Sequence, residues 1–255
     1  MTNAWAVALV AAGLGLCVGS FLNVVIARLP AGRSIVTPPS ACPGCASLIA
    51  WYDNVPVLSF LLLRARCRQC HAAISWRYPL VELATAGLFA LAAARIGFDA
   101  RLLPALVLCA ALVAITGIDL DHQIIPDAIT LPGVAFGFAA SLLVGQPPWI
   151  ESLLGILLGG GLFFVIIVVS RGGMGGGDMK LGAMLGAFLG WRMTLVAIMI
   201  AVLIGGVVAI GLLAAGRRGR KEPVPFGPFL AIGGLAALFW GESLLRWYLG
   251  VFAGG

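Results

Sequence analysis

The residues most able to do chemistry are carboxylates at the ends of apolar runs. Asp119, Asp121 and Asp127 cluster in Ile118-Asp-Leu-Asp-His-Gln-Ile-Ile-Pro-Asp127, and Asp178 closes Gly175-Gly-Gly-Asp178. Acids in or beside membrane helices are costly and usually functional. Two carboxylates sharing a small, poorly solvated site cannot both ionise easily. Such a pair activates water against a peptide carbonyl and protonates the leaving amine. Glycines before Asp178 let a substrate backbone approach, because no Cβ intervenes. A proton or cation pathway, or ion pairs with Lys180 or His122, are the competing readings.

The second set is sulfur. Cys42-Pro-Gly-Cys45 and Cys67-Arg-Gln-Cys70 are two C-x2-C turns, 21 residues apart. Each can chelate one side of a metal ion, and together they offer a structural zinc site of four thiolates: Cys42, Cys45, Cys67 and Cys70. Two disulfides are the alternative, disfavoured if the segment is cytoplasmic. An insert of this size hardly builds a core alone, so the metal would supply much of its folding energy. Cys17 and Cys109 lie in apolar runs and read as small core residues. His71 reads as solvated or as a donor beside the metal.

The elements that hold these groups are membrane helices. The chain has 255 residues, 61% hydrophobic and 10% charged, against about a quarter charged in soluble domains. That excludes a disordered chain, a nucleic-acid-binding domain and a secreted disulfide mini-protein. The net charge of +6 is read as topology. Residues 4–27 carry no charge and no basic flank precedes them, so they read as a membrane helix, not a cleaved signal. Further apolar runs are 79–94, 102–118, 128–150, 152–170, 179–191, 193–216 and 225–245.

Putting 28–78 in the cytoplasm gathers Arg28, Arg33, Arg64, Arg66, Arg68, Arg77, Arg171, Lys180, Arg217, Arg218, Arg220 and Lys221 on that side. Only Arg95, Arg101, Arg192 and Arg246 fall opposite, a positive-inside bias that leaves both termini outside. Two charge-poor runs separate Asp119 from Asp178, so both acids lie at the cytoplasmic end. Leu181–Trp191 is short, ~16 Å as helix, unless residues 172–177 dip into the membrane, where irregular backbone needs protein or a water-filled cavity around it. The expected fold is an all-α polytopic membrane protein of about eight transmembrane helices with a cytoplasmic zinc-binding insert. Its divisions are a first helix (1–27), the tetracysteine insert (28–78) and a seven-helix membrane aspartic protease domain (79–255).

At these residues the sequence resembles the type IV prepilin peptidases, or leader peptidase/N-methyltransferases. The resemblance runs through Gly19-Ser-Phe-Leu-Asn-Val-Val, the paired C-x2-C insert and Ile74-Ser-Trp-Arg-Tyr-Pro-Leu-Val-Glu82. It continues through the Asp119 segment, Gly175-Gly-Gly-Asp178-Met-Lys-Leu and Pro225-Phe-Gly-Pro-Phe-Leu-Ala231. It implies a multi-pass aspartic endopeptidase of the bacterial inner membrane, with membrane lipid and prepilins or type II secretion pseudopilins as partners and no nucleic acid. The enzyme would cut a basic leader after Gly on the cytoplasmic side, then methylate the new amino group with S-adenosylmethionine. The catalytic pair it implies is Asp119 and Asp178. Asp121 and Asp127 are the neighbouring carboxylates, Asp127 read as a helix cap. Family members with methyl-transfer activity commonly have Gly two residues before the third cysteine, where this chain has Ala65. A positive φ there would make the Cβ costly, and a peptidase without methyl transfer is the alternative, beside a proton-coupled transporter. Arg77 and Glu82 border the insert as parts of a second site or as a local ion pair.

Overall fold

The computed structural model describes residues 2–171, 174–215 and 225–253. Gly172, Gly173 and the basic run Arg217–Lys221 lie outside the described residues. Eight α-helices dominate: α1 (Thr2–Arg28), α2 (Leu58–Leu62), α3 (Arg77–Ile96), α4 (Leu102–His122), α5 (Asp127–Val144), α6 (Trp149–Val169), α7 (Gly176–Ala214) and α8 (Gly227–Ala253). Among the described residues there is no strand, only two isolated β-bridges in the insert. All but α2 are long and apolar enough to cross a membrane.

Helix α7 accounts for the eighth crossing expected from the sequence. At 39 residues it would be ~58 Å long if straight, about twice a bilayer core. It is broken at Gly190, where φ is +73° and ψ 169°, a conformation that favours glycine. The first arm, 176–189, starts earlier than the apolar run suggests. Gly176 and Gly177 are already helical, and Asp178 stands in the first turn.

The chain folds as two compact units, Met1–Leu102 and Leu103–Gly255. In the first, α1 packs along α3 through Gly15 and Gly19, one turn apart. A Cβ on either would come within 2.6 Å of the Cα of Ala86 or Glu82. Small residues four apart let two membrane helices approach backbone to backbone. Buried Asn23, one turn further along α1, donates to the Gly19 carbonyl (3.3 Å) and the Tyr78 carbonyl (3.1 Å). The second unit repeats the device. Gly155 and Gly159 of α6 face Gly186 and Gly182 of α7, with each ideal Cβ position occupied by the opposite backbone. The buried Ser152 hydroxyl adds a 2.8 Å bond to the Ala187 carbonyl. This holds the first arm of α7, and hence Asp178, rigidly against α6. The core around it is built from Leu108, Leu112 and Ile115 of α4, Leu181 and Leu185 of α7, and Leu230 of α8.

Candidate active site

Helical phase decides which acids turn inward. Leu108, Leu112 and Ile115 are wholly buried and share one face of α4, and Asp119 continues that face at 4% exposure. Asp121, about 200° further round a helix of 3.6 residues per turn, is exposed. On α7, Asp178 stands in phase with buried Leu181 and Leu185 and is itself 9% exposed. The Ile125 side chain links them: it lies against Gly177, next to Asp178, and beside Gly227, whose amide binds Asp119. The structure thus brings Asp119 and Asp178 together and leaves Asp121 and Asp127 on the surface.

The two acids are held differently. Asp119 Oδ2 accepts a 3.0 Å bond from the backbone N–H of Gly227, at the start of α8. The first-turn amides of a helix have no partner within the helix, and the dipole favours negative charge there. A Cβ on Gly227 would lie 2.6 Å from the same oxygen, so glycine is what allows the amide to reach the carboxylate. Asp178 Oδ1 is buried with no hydrogen-bond partner among the described residues. Buried carboxylate oxygens are normally paired, so this atom is available to water or to a substrate group. Of the three glycines before Asp178, Gly177 is required by the protein itself, since its Cβ would meet the Ile125 side chain at 2.8 Å.

Lys180 pairs with neither buried acid. Its ammonium contacts both oxygens of Asp127, at 2.6 and 2.7 Å. Asp127 is the first residue of α5, after its N-cap Pro126, so in place of the capping role expected for it the carboxylate ties α5 to α7. The part played by Gly227 was not assigned from sequence. Its signal was the Pro225-Phe-Gly-Pro turn in front of an apolar helix. Gly227→Ala is expected to displace the Asp119 carboxylate and lower the turnover of any reaction run by the pair about 10²-fold, because sub-ångström misplacement of reacting groups is that costly. Measured turnover close to wild type would show that the Gly227 contact is incidental.

In the first unit the four cysteines converge. Their Sγ atoms all lie within 4.8 Å of one another, and Cys42 and Cys70 are 3.7 Å apart. Thiolates at ~2.3 Å from a tetrahedral ion are ~3.8 Å apart, so the donor set fits a metal ion. The two turns match. Cys42 and Cys67 donate backbone bonds to Ser47 and Ala72, and Ala46 and His71 return bonds to Cys42 and Cys67. Ala46 and His71, each just after a second cysteine, have φ of +56° and +57°. The Ser47 hydroxyl, 2.9 Å from Cys45 Sγ, and then its backbone lower that thiol to about 6. The Ala72 backbone also favours a thiolate at Cys70, but burial and the other three sulfurs push it up to about 11. Four sulfurs so placed could hold one metal ion. Glu82 is buried and accepts a 2.8 Å bond from the Val57 N–H.

Fold and site define a class: a multi-pass helical membrane protein with a tetracysteine insert and a buried aspartate pair. Residues 14–96 match the bacterial peptidase A24 N-terminal domain and residues 106–210 the type IV leader peptidase family. A prepilin leader peptidase/N-methyltransferase of Myxococcus xanthus is 50% identical over 82% of this chain, which covers 64% of that relative's length. Proteins of the same name from Aeromonas salmonicida and Pseudomonas aeruginosa are 40% and 39% identical, over 92% and 94% of this chain and 91% and 92% of their own lengths. No solved structure matches this chain significantly. The chain belongs to the type IV leader peptidase family.

Proposed function

We propose that the chain is an inner-membrane aspartic endopeptidase that removes the leader of type IV prepilins or type II secretion pseudopilins, and that Asp119 and Asp178 are its catalytic pair. The observation that carries this reading is the unpartnered, buried Oδ1 of Asp178, with buried Asp119 held across the same Ile125 side chain. One carboxylate takes a proton from water as the water attacks the scissile carbonyl; the other, carrying a proton, gives it to the leaving amine. The Gly227 N–H orients Asp119 for its part. The acids stand at the cytoplasmic end of the membrane in the orientation that gathers the basic residues inside. The test is direct. Purified protein is incubated with a prepilin, and mass spectrometry follows loss of the leader. Intact prepilin after long incubation with correctly inserted protein would overturn the reading.

We further propose that the tetracysteine cluster holds structural zinc, and that the chain methylates the new N-terminus with S-adenosylmethionine. Cys42, Cys45, Cys67 and Cys70 would hold the ion, which would act by fixing the insert. The names of the relatives and the fit of the four sulfurs support this. Ala65 has φ of +57° and follows Arg64 at +50°, so its Cβ is strained by about 1 kcal/mol. Ala65 is nevertheless engaged: its N–H donates to Phe60 and its carbonyl accepts from Ile74. The backbone bonds of the turn form with alanine in place, which favours survival of methyl transfer. Ala65→Gly is expected to stabilise the insert and to slow zinc loss to a chelator about five-fold, the equivalent of ~1 kcal/mol. An unchanged or faster loss would mean that the turn carries no strain.

A further inference from the structure

The short helix α2 presents its apolar residues outward. Leu58, Leu61 and Leu62 fall on one face by their i, i+3, i+4 spacing, and they are 53%, 62% and 73% exposed. The inward residue is Phe60, buried and packed edge-on against Trp76 at 4.9 Å between ring centroids. A helix inside a polar insert with its leucines turned out is inverted relative to an ordinary soluble element. Its position removes the paradox. The Val57 N–H, immediately before α2, is bound by Glu82, five residues into α3. That is ~7.5 Å along the helix from Arg77. Val57 is held there at a φ of +59°, unfavourable for a β-branched residue. The start of α2 is therefore fixed at the depth of the second turn of a membrane helix, level along its axis with exposed Leu80 and Leu83.

We propose that α2 is an interfacial anchor, and that its leucine face is seated in the lipid of the leaflet on the insert's side. Two further features identify the occupant as an anionic bilayer surface. Trp76 and Tyr78, at the mouth of α3, are exposed, as aromatic residues at a membrane–water boundary commonly are. Segment 28–78 has six Arg against one Asp, and that Asp53 is held by Arg68 at 2.6 Å. Arg64 and Arg66 follow the leucine face directly and are exposed, where they meet lipid phosphates. Apolar burial and attraction to acidic headgroups together make an interfacial helix. The metal-binding turns are then held at a set height on the membrane instead of swinging on two tethers.

The proposal is tested with the full chain in nanodiscs containing phosphatidylglycerol. A benzophenone amino acid replaces Leu62, or in a reference sample Leu83, and metal content verifies that the insert is folded. Irradiation is expected to give phospholipid adducts at position 62 in yields within about two-fold of those at position 83. A lower lipid yield at 62, or adducts chiefly to this chain or to another protein, would overturn the proposal. Leu61→Glu supplies a second readout. Trypsin cleavage at Arg64 and Arg66 should accelerate at least about ten-fold with zinc retained, and unchanged cleavage counts against an anchor.

Discussion

Asp119→Asn and Asp178→Asn are each expected to abolish leader cleavage, by at least about 10³-fold, because either change removes the proton donor or acceptor of the proposed two-group mechanism. The double variant should be little worse than either single one, since groups that act as a unit lose their function together. Both variants should insert normally. An amide fits each position, and the core face of Leu108, Leu112 and Ile115 is untouched. Asp121→Asn is the internal comparison: exposed on the far side of α4, it should keep most of the activity. The check is the rate of leader loss for purified variants of equal abundance. Turnover by either buried variant near wild type, or greater damage at Asp121, would remove the assignment.

Replacing Cys42 and Cys45 together with Ser is expected to lose the metal and unravel the insert while the membrane helices remain. Between residues 28 and 78 the only buried apolar side chains are Cys42 and Phe60, too few to sustain a fold. A structural zinc supplies on the order of 10 kcal/mol in small metal-dependent domains, far more than two such side chains at about 2 kcal/mol each. Wild-type protein should carry about one zinc per chain, and the double variant none. Methyl transfer is expected to disappear with the insert. Cleavage should fall much less than in the aspartate variants, because both acids and Gly227 lie in the other unit. Metal analysis, proteolysis of the insert and mass spectrometry of the mature pilin N-terminus separate these effects. Metal-free wild-type protein with a stable insert would rule the site out.

The parts of this molecule that were legible in its sequence are those governed by local pattern. Counting charge-poor runs between Asp119 and Asp178 was enough to bring the two acids to one end of the membrane. The spacing of the cysteines announced a four-sulfur cluster. The choice of Asp119 over Asp121 came from resemblance; α4 is apolar on every side, so the face that turns inward had to come from the fold. What escaped depends on partners far apart in the chain. Nothing near Gly227 says that its amide will meet a carboxylate 108 residues earlier. Nothing near Asp127 says that Lys180 will claim it instead of a helix end. The facing pairs Gly155/Gly159 and Gly182/Gly186 also escaped, because a glycine spacing does not name the helix it will press against. Ala65 lay between these cases: its identity flagged a turn, while the sign of φ had to come from the folded insert.

The solitary oxygen of Asp178 also bears on pharmacology. Most enzyme pockets make an inhibitor compete for hydrogen bonds that the protein already makes to itself. Here one buried acceptor has no partner among the described residues, so a compound bearing a secondary hydroxyl in place of the scissile carbonyl would gain a bond without breaking one inside the protein. Asp119, already engaged by the Gly227 amide, offers less to such a compound. Selectivity among hydroxyl-bearing protease inhibitors should therefore follow the direction in which the hydroxyl points, towards the first turn of α7, more than the bulk of the groups that flank it.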